Sequence, residues 1–179
     1  MRVHMAYTGR DPMFRSFIIA AASAAVLTFS TTAFAQKPDH GTADEAKAML
    51  MKAVAALKAD KQKTLHLINE GEGGGFFDRD LYVFCADVGD GRAVALGNPF
   101  AWPWNSNARQ LLGVDTRTLK DSTGKAFGQE LYDAYQKPEG QITEVTYMFV
   151  RPGPDKTPVP KVSFVTRVGD LGCGVGYYK

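Results

Sequence analysis

From residue 42 the apolar positions recur at intervals of three and four: Ala46, Met49, Leu50, Ala53, Val54, Leu57 and, past a polar interruption near Asp60 to Lys63, Leu65 and Ile68. That is the spacing of one helix face. Thr42-Ala43-Asp44-Glu45 at its front is a capping box, in which hydroxyl and carboxylate satisfy each other's backbone N–H groups. The pattern predicts one helix from Thr42 to about Asn69, stopped by Gly71. At 1.5 Å per residue it would be about 40 Å long, and its apolar stripe needs a sheet to lie on.

The period changes to two from Leu81. Leu81, Val83 and Cys85 alternate with Tyr82, Phe84 and Ala86, so this strand is apolar on both faces and predicted to be central. Val88-Gly89-Asp90-Gly91 carries hairpin chemistry, and Arg92 to Gly97 returns as a second strand. Between Asn98 and Asp121 the alternation lapses into a long excursion holding Trp102, Pro103, Trp104 and a short helical piece from Ala108 to Leu112. Long irregular segments inside compact domains are commonly functional. A second helix is predicted behind a Ser122 or Thr123 cap, with Phe127, Leu131 and Tyr135 on one stripe and an end near Lys137-Pro138. Strands at about Gln141 to Val150, Lys161 to Arg167 and Gly172 to Tyr178 complete the chain. The sum is an α+β fold: a five-stranded antiparallel sheet with a long N-terminal helix on one face and a short helical excursion on the other.

The chain in front of these elements reads as an export signal spanning residues 1–35. Arg10 and Arg15 precede an apolar run from Phe17 to Phe29, and Ala33-Phe34-Ala35 offers a small-x-small cleavage pattern. Met13 is an alternative start. An uncleaved anchor would need about 20 apolar residues, more than this run supplies. Residues 36–179 then form a single domain with no membrane span, in the periplasm or outside the cell, with basic and acidic side chains in balance. No basic block survives to neutralise a run of phosphates, which argues against a nucleic-acid partner.

Chemistry-bearing motifs are few. The cluster Gly71-Glu72-Gly73-Gly74-Gly75 has no strand before it and no Gly-Lys-Ser/Thr after it, so it reads as a flexible joint rather than a phosphate loop. His40 and His66 are not spaced as metal ligands, and neither a catalytic constellation nor a cofactor motif occurs. The carboxylate pairs Asp78/Asp80 and Asp87/Asp90 are accounted for by turns. Cys85 and Cys173 lie in strand-like segments of an exported chain. If those strands pair, a disulfide there is worth about 4 kcal/mol in the chain-entropy description. Two buried free thiols are the alternative.

The segments Asp80-Leu81-Tyr82-Val83-Phe84, Asp90-Gly91, Gly97-Asn98-Pro99, Leu111-Leu112-Gly113-Val114-Asp115, Asp121 to Gly124 with Phe127, Val145-Thr146-Tyr147, Pro160 to Val165 and Gly174-Val175-Gly176-Tyr177-Tyr178, in this order, resemble the single Cache domain family, PAS-like extracytoplasmic sensor modules. The similarity covers about residues 42 to 179. Two stretches depart from the family pattern. Tyr147-Met148-Phe149 stands for Tyr-x-Trp and Lys161-Val162-Ser163-Phe164 for Lys-x-Ser-Tyr, keeping the rings and losing polar tips. Trp102-Pro103-Trp104 is not part of that pattern.

The resemblance implies a pocket on the face away from the long helix. Its candidate lining is Tyr82, Phe84, Trp102, Trp104, Tyr147, Phe149 and Phe164, with Lys161 at a family lysine position and Arg109, from its place in the excursion, as cations for a carboxylate. The bland readings are a surface lysine at a strand start, a solvent-facing Arg109, and tryptophans that pack a core beneath the loop. An aromatic cage for a cationic ligand is another. The implied role is a small-molecule binding and sensing module, its ligand a small organic acid or similar metabolite, with no cofactor and no output domain of its own. A membrane receptor or transporter is the candidate protein partner. The competing reading is a structural protein that docks on such a partner without a ligand; an enzyme ranks below both.

Overall fold

The computed structural model describes residues 39–71, 73–97 and 111–179. The expected export signal, the tryptophan pair Trp102 and Trp104, Arg109 and most of the expected 108–112 helical piece fall outside the described residues.

The capping box forms as read: the Thr42 N–H donates to Glu45 Oε2 at 2.8 Å and the Glu45 N–H to Thr42 Oγ1 at 3.3 Å. Helix α1 (Ala43–Ala59) follows, burying Ala46, Met49, Leu50, Ala53, Val54 and Leu57. The single long helix is corrected to two. Asp60 leaves helical space, at φ −155° and ψ 96°, and its carboxylate accepts the Lys63 N–H at 3.0 Å. One residue thus ends α1 and caps α2 (Lys61–Glu70), because a short carboxylate competes well for backbone N–H groups at a helix start. Gly71 closes α2 in the left-handed region, and Gly73, Gly74 and Gly75 continue at positive φ, a path that side chains would resist.

Six strands form one antiparallel sheet: β1 (Phe77–Asp78), β2 (Leu81–Asp87), β3 (Ala93–Leu96), β4 (Thr143–Val150), β5 (Pro158–Val168) and β6 (Leu171–Tyr178), in the order β1-β2-β6-β5-β4. β3 pairs with β2 as the expected hairpin. The strand beyond the expected five is β1, too short for a periodicity signal. The two faces of β2 separate as the alternation required. Leu81, Val83 and Cys85 join Phe164, Cys173 and Val175 under α1 and α2. Ala86 joins Val145, Tyr147 and Val165 under α3 (Phe127–Tyr135).

Cys85 and Cys173 sit directly opposite each other on β2 and β6, with Cα atoms 4.1 Å apart, and form a disulfide. The expected Ser122 or Thr123 cap of α3 is corrected. Ala126 occupies the cap position without a side-chain bond. Asp121 instead accepts from the Thr123 N–H (2.9 Å), the Lys125 N–H (3.1 Å) and, across to the sheet edge, the Met148 N–H (2.9 Å). The carboxylate reaches three N–H groups where a hydroxyl would reach one, so Asp121 organises the turn and ties it to β4.

Candidate functional site

Side-chain alternation decides what the second face of the sheet presents. Tyr82 and Phe84 come from β2, Tyr147 and Phe149 from β4, and Lys161 from β5. α3 stands above them with Phe127, Leu131 and Tyr135, while Thr116, in a 3₁₀ turn at Thr116–Thr118, and Leu119 close a flank. Together they surround a cavity of about 140 Å³, walled mainly by aromatic and aliphatic carbon and flanked by Leu96 and Leu111. Concave, largely apolar sites with a few placed polar groups are the usual form of small-molecule pockets.

The buried cation on the wall is Lys161, 1 % exposed. Its ammonium donates to the Tyr82 hydroxyl at 2.7 Å and lies 4.0 Å from the Tyr82 ring centre, 5.0 Å from Tyr178, 5.1 Å from Phe149 and 5.9 Å from Phe84. An ammonium has three donors, and among the described residues this one meets a single acceptor, the Tyr82 hydroxyl. Among the described residues no carboxylate pairs with it. Four ring faces supply quadrupole attraction, which offsets part of the desolvation cost and leaves a cation that an incoming anion would satisfy.

The other polar tips are phenols that stay neutral. Burial pushes Tyr147 well above the usual phenol range, with the neighbouring Tyr82 adding to the shift; its hydroxyl shares a 2.9 Å hydrogen bond with Ser163 Oγ. Tyr178 is raised too, chiefly by burial and then by Tyr82 and Tyr147, and donates to the Val150 carbonyl at 2.9 Å. Burial alone raises Tyr135. The Tyr147 ring stacks on Phe127 at 4.2 Å, with Phe149 edge-on to both, so the wall around the cavity is braced. The exposed Lys120 is the further cation of the lining.

Of the residues singled out in the sequence, Tyr82, Phe84, Tyr147, Phe149 and Lys161 meet at this cavity. Phe164 does not, and its placement is corrected. It shares the parity of Val162, lies under α1, 2 % exposed, stacks on Tyr177 and carries Lys47 4.6 Å above its ring. The surface-lysine reading of Lys161 is also set aside by its burial. Phe127, Leu131 and Tyr135 of α3 were not foreseen as wall residues, nor was Tyr178 as a ring around the Lys161 ammonium. A signal for Tyr178 was present: on β6 the positions of one parity are Gly172, Gly174, Gly176 and Tyr178, three residues without side chains leading to one ring.

Among the described residues there is no group of three or more His, Cys, Asp or Glu side chains arranged to hold a metal ion, and no helix long and apolar enough to cross a membrane.

No family model and no curated protein matches the sequence. The fold does match solved structures. A methyl-accepting chemotaxis protein from Vibrio parahaemolyticus RIMD 2210633 superposes with a TM-score of 0.56 at 24 % identity, over 75 % of this chain and 86 % of the other. A periplasmic sensor domain of a chemotaxis protein gives 0.52 at 22 % identity, over 75 % and 88 %. The chain therefore has the fold of periplasmic sensor domains from chemotaxis proteins, in agreement with the α+β architecture expected from its sequence.

Proposed function

We propose that this chain is an extracytoplasmic sensor module of the single-Cache type that binds a small organic acid in the cavity between the sheet and α3. The observation that carries the reading is Lys161: a buried ammonium on the wall of an apolar cavity, hydrogen-bonded to Tyr82 and without a carboxylate partner among the described residues. A carboxylate would form charge-assisted hydrogen bonds to it, roughly twice as strong as neutral ones, while the ring-lined remainder takes a short carbon chain. Cation-binding is disfavoured at the same place, because the cage of rings already encloses a cation of the protein's own.

Three further features support the setting. The fold is shared with periplasmic sensor domains, the Cys85–Cys173 disulfide belongs to an oxidising compartment, and residues 1–35 carry the pattern of an export signal. Binding, not turnover, is the role assigned, with a membrane receptor or transporter as the protein that reads the bound state.

A thermal-shift screen of short monocarboxylates, dicarboxylates and their neutral amides tests the proposal. An acid present at 100 times its dissociation constant should stabilise the protein by about 2.7 kcal/mol, and the matching amide by far less. A melting temperature unmoved by every acid would end the reading.

A further inference from the structure

Lys161 belongs to β5, yet its ammonium reaches Tyr82 on β2, with β6 between them. Neighbouring strands lie about 4.8 Å apart, so β5 and β2 are about 10 Å apart, a gap that Lys161 and the Tyr82 ring close together, with the lysine stem lying flat over β6. The register shows where it crosses. Lys161 stands opposite Tyr178 and Ser163 opposite Gly176, while Val83 on β2 stands opposite Val175. The stem therefore passes over Gly176.

A Cβ built at Gly176 would lie 2.5 Å from Ser163 Oγ and 3.2 Å from Lys161 Cγ, and nearer still to Lys161 Cε. Gly176 is not among the glycines at positive φ, so its backbone suits any residue; what the site needs is the missing side chain. Ser163 Oγ, the other atom displaced, is the partner of the Tyr147 hydroxyl. Both polar anchors of the wall thus converge on the space above one glycine.

We propose that Gly176 is a specificity-determining position of this pocket. Its bare backbone seats the Lys161 stem, holds the ammonium among the rings at Tyr82, and so fixes where the acidic head of a ligand is met and how much of the cavity is left for its tail. This rests on the sensor reading above and adds to it the residue that sets the preference for an anion. With alanine at this position the stem must rise off the sheet, carrying the ammonium out of its cage and into the volume the ligand would fill.

Gly176→Ala is compared with the unaltered protein in two measurements. Without ligand, the ring currents of the cage displace the Lys161 ε-methylene proton resonances, and in Gly176→Ala these should move toward the positions of exposed lysines. By calorimetry, sodium propionate and sodium butyrate should bind Gly176→Ala at least about tenfold more weakly, as for loss of a hydrogen bond to a charged group, while propanamide and butanamide change by less than about twofold. An unmoved ε-methylene resonance, or an unchanged ratio of acid to amide affinity, would overturn the proposal. If the unaltered protein binds none of the acids, the sensor reading fails, and the resonance measurement still decides where Lys161 is seated. Should Gly176→Ala fold poorly, Gly176→Ala/Lys161→Ala removes the stem that the new methyl meets. A cost of Gly176→Ala that vanishes when measured in the Lys161→Ala background supports the seat, and a cost as large there as in the unaltered protein refutes it.

Discussion

Burial makes Lys161 a stability cost as well as the proposed binding group. One hydrogen bond and four ring faces compensate its ammonium only in part, and no ion pair to a described carboxylate does the rest. Burying a charge without an ion-pair partner is costly, and an apolar side chain of similar length removes that cost. Lys161→Met keeps the flat stem over Gly176 and discards the charge, at the expense of the bond to Tyr82. Ligand-free Lys161→Met is therefore expected to unfold in urea at a midpoint equal to or above that of the unaltered protein, while its thermal response to short carboxylates disappears. A fall in stability of more than about 2 kcal/mol would instead make Lys161 a structural residue. Its position in the sequence, at the front of an alternating run, was legible. Its burial was not, because a lysine at a strand start is ordinarily exposed, and only the pairing of β5 with β6 puts an empty glycine beside it.

At the scale of elements, the devices that were readable are those whose partners lie within a few residues. Thr42 with Glu45 and Gly71 after α2 are of this kind. The cap of α3 was misread because Asp121 looks outward as well as along the chain, taking the Met148 N–H from the edge of β4 while Lys125 donates to the Thr146 carbonyl. Those two contacts use up edge groups that would otherwise invite another strand. Asp121 is held down to about 2, first by the Met148 N–H, then by the Thr123 hydroxyl and the N–H groups of Thr123 and Lys125, against some desolvation. A carboxylate depressed in the folded state stabilises in full above its ordinary value of about 3.9 and loses that contribution as pH falls through its folded value. The stability difference between the protein and Asp121→Asn is thus expected to be constant above about pH 5 and to shrink between about pH 4 and pH 2. Denaturant titrations at a series of pH values read it directly, and a gap that does not narrow in that window would remove Asp121 as the tie between turn and sheet.

For the whole molecule, period-two alternation carried most of the architecture. It sorted β2 into a face under α1 and α2 and a face toward the cavity, and that sorting brought five of the chosen residues to one site. It failed for Phe164, assigned by its aromatic character although it is one residue out of phase with Ser163 and Val165 on the cavity face. The break at Asp60 was hidden too, since both helices present the same stripe to the same sheet. The two faces also make stability and binding separable. The Cys85–Cys173 bridge is completely buried on the α1 side, links directly opposed residues of β2 and β6, and spans a sequence separation of 88. Constraining the unfolded chain over such a loop is worth about 4 kcal/mol, and loss of a native bridge commonly costs about 2–5 kcal/mol. The strands it joins are also held by five register pairs, from Val83↔Val175 to Asp87↔Leu171, so the sheet beneath the cavity has backbone hydrogen bonds to keep it aligned without the bridge. Cys85→Ala/Cys173→Ala should accordingly lose about 2–5 kcal/mol in urea titration yet bind the same acids with affinity within about threefold at temperatures where it remains folded. If affinity falls in step with stability, the two faces are one cooperative unit, and the cavity owes its shape to the bridge behind it.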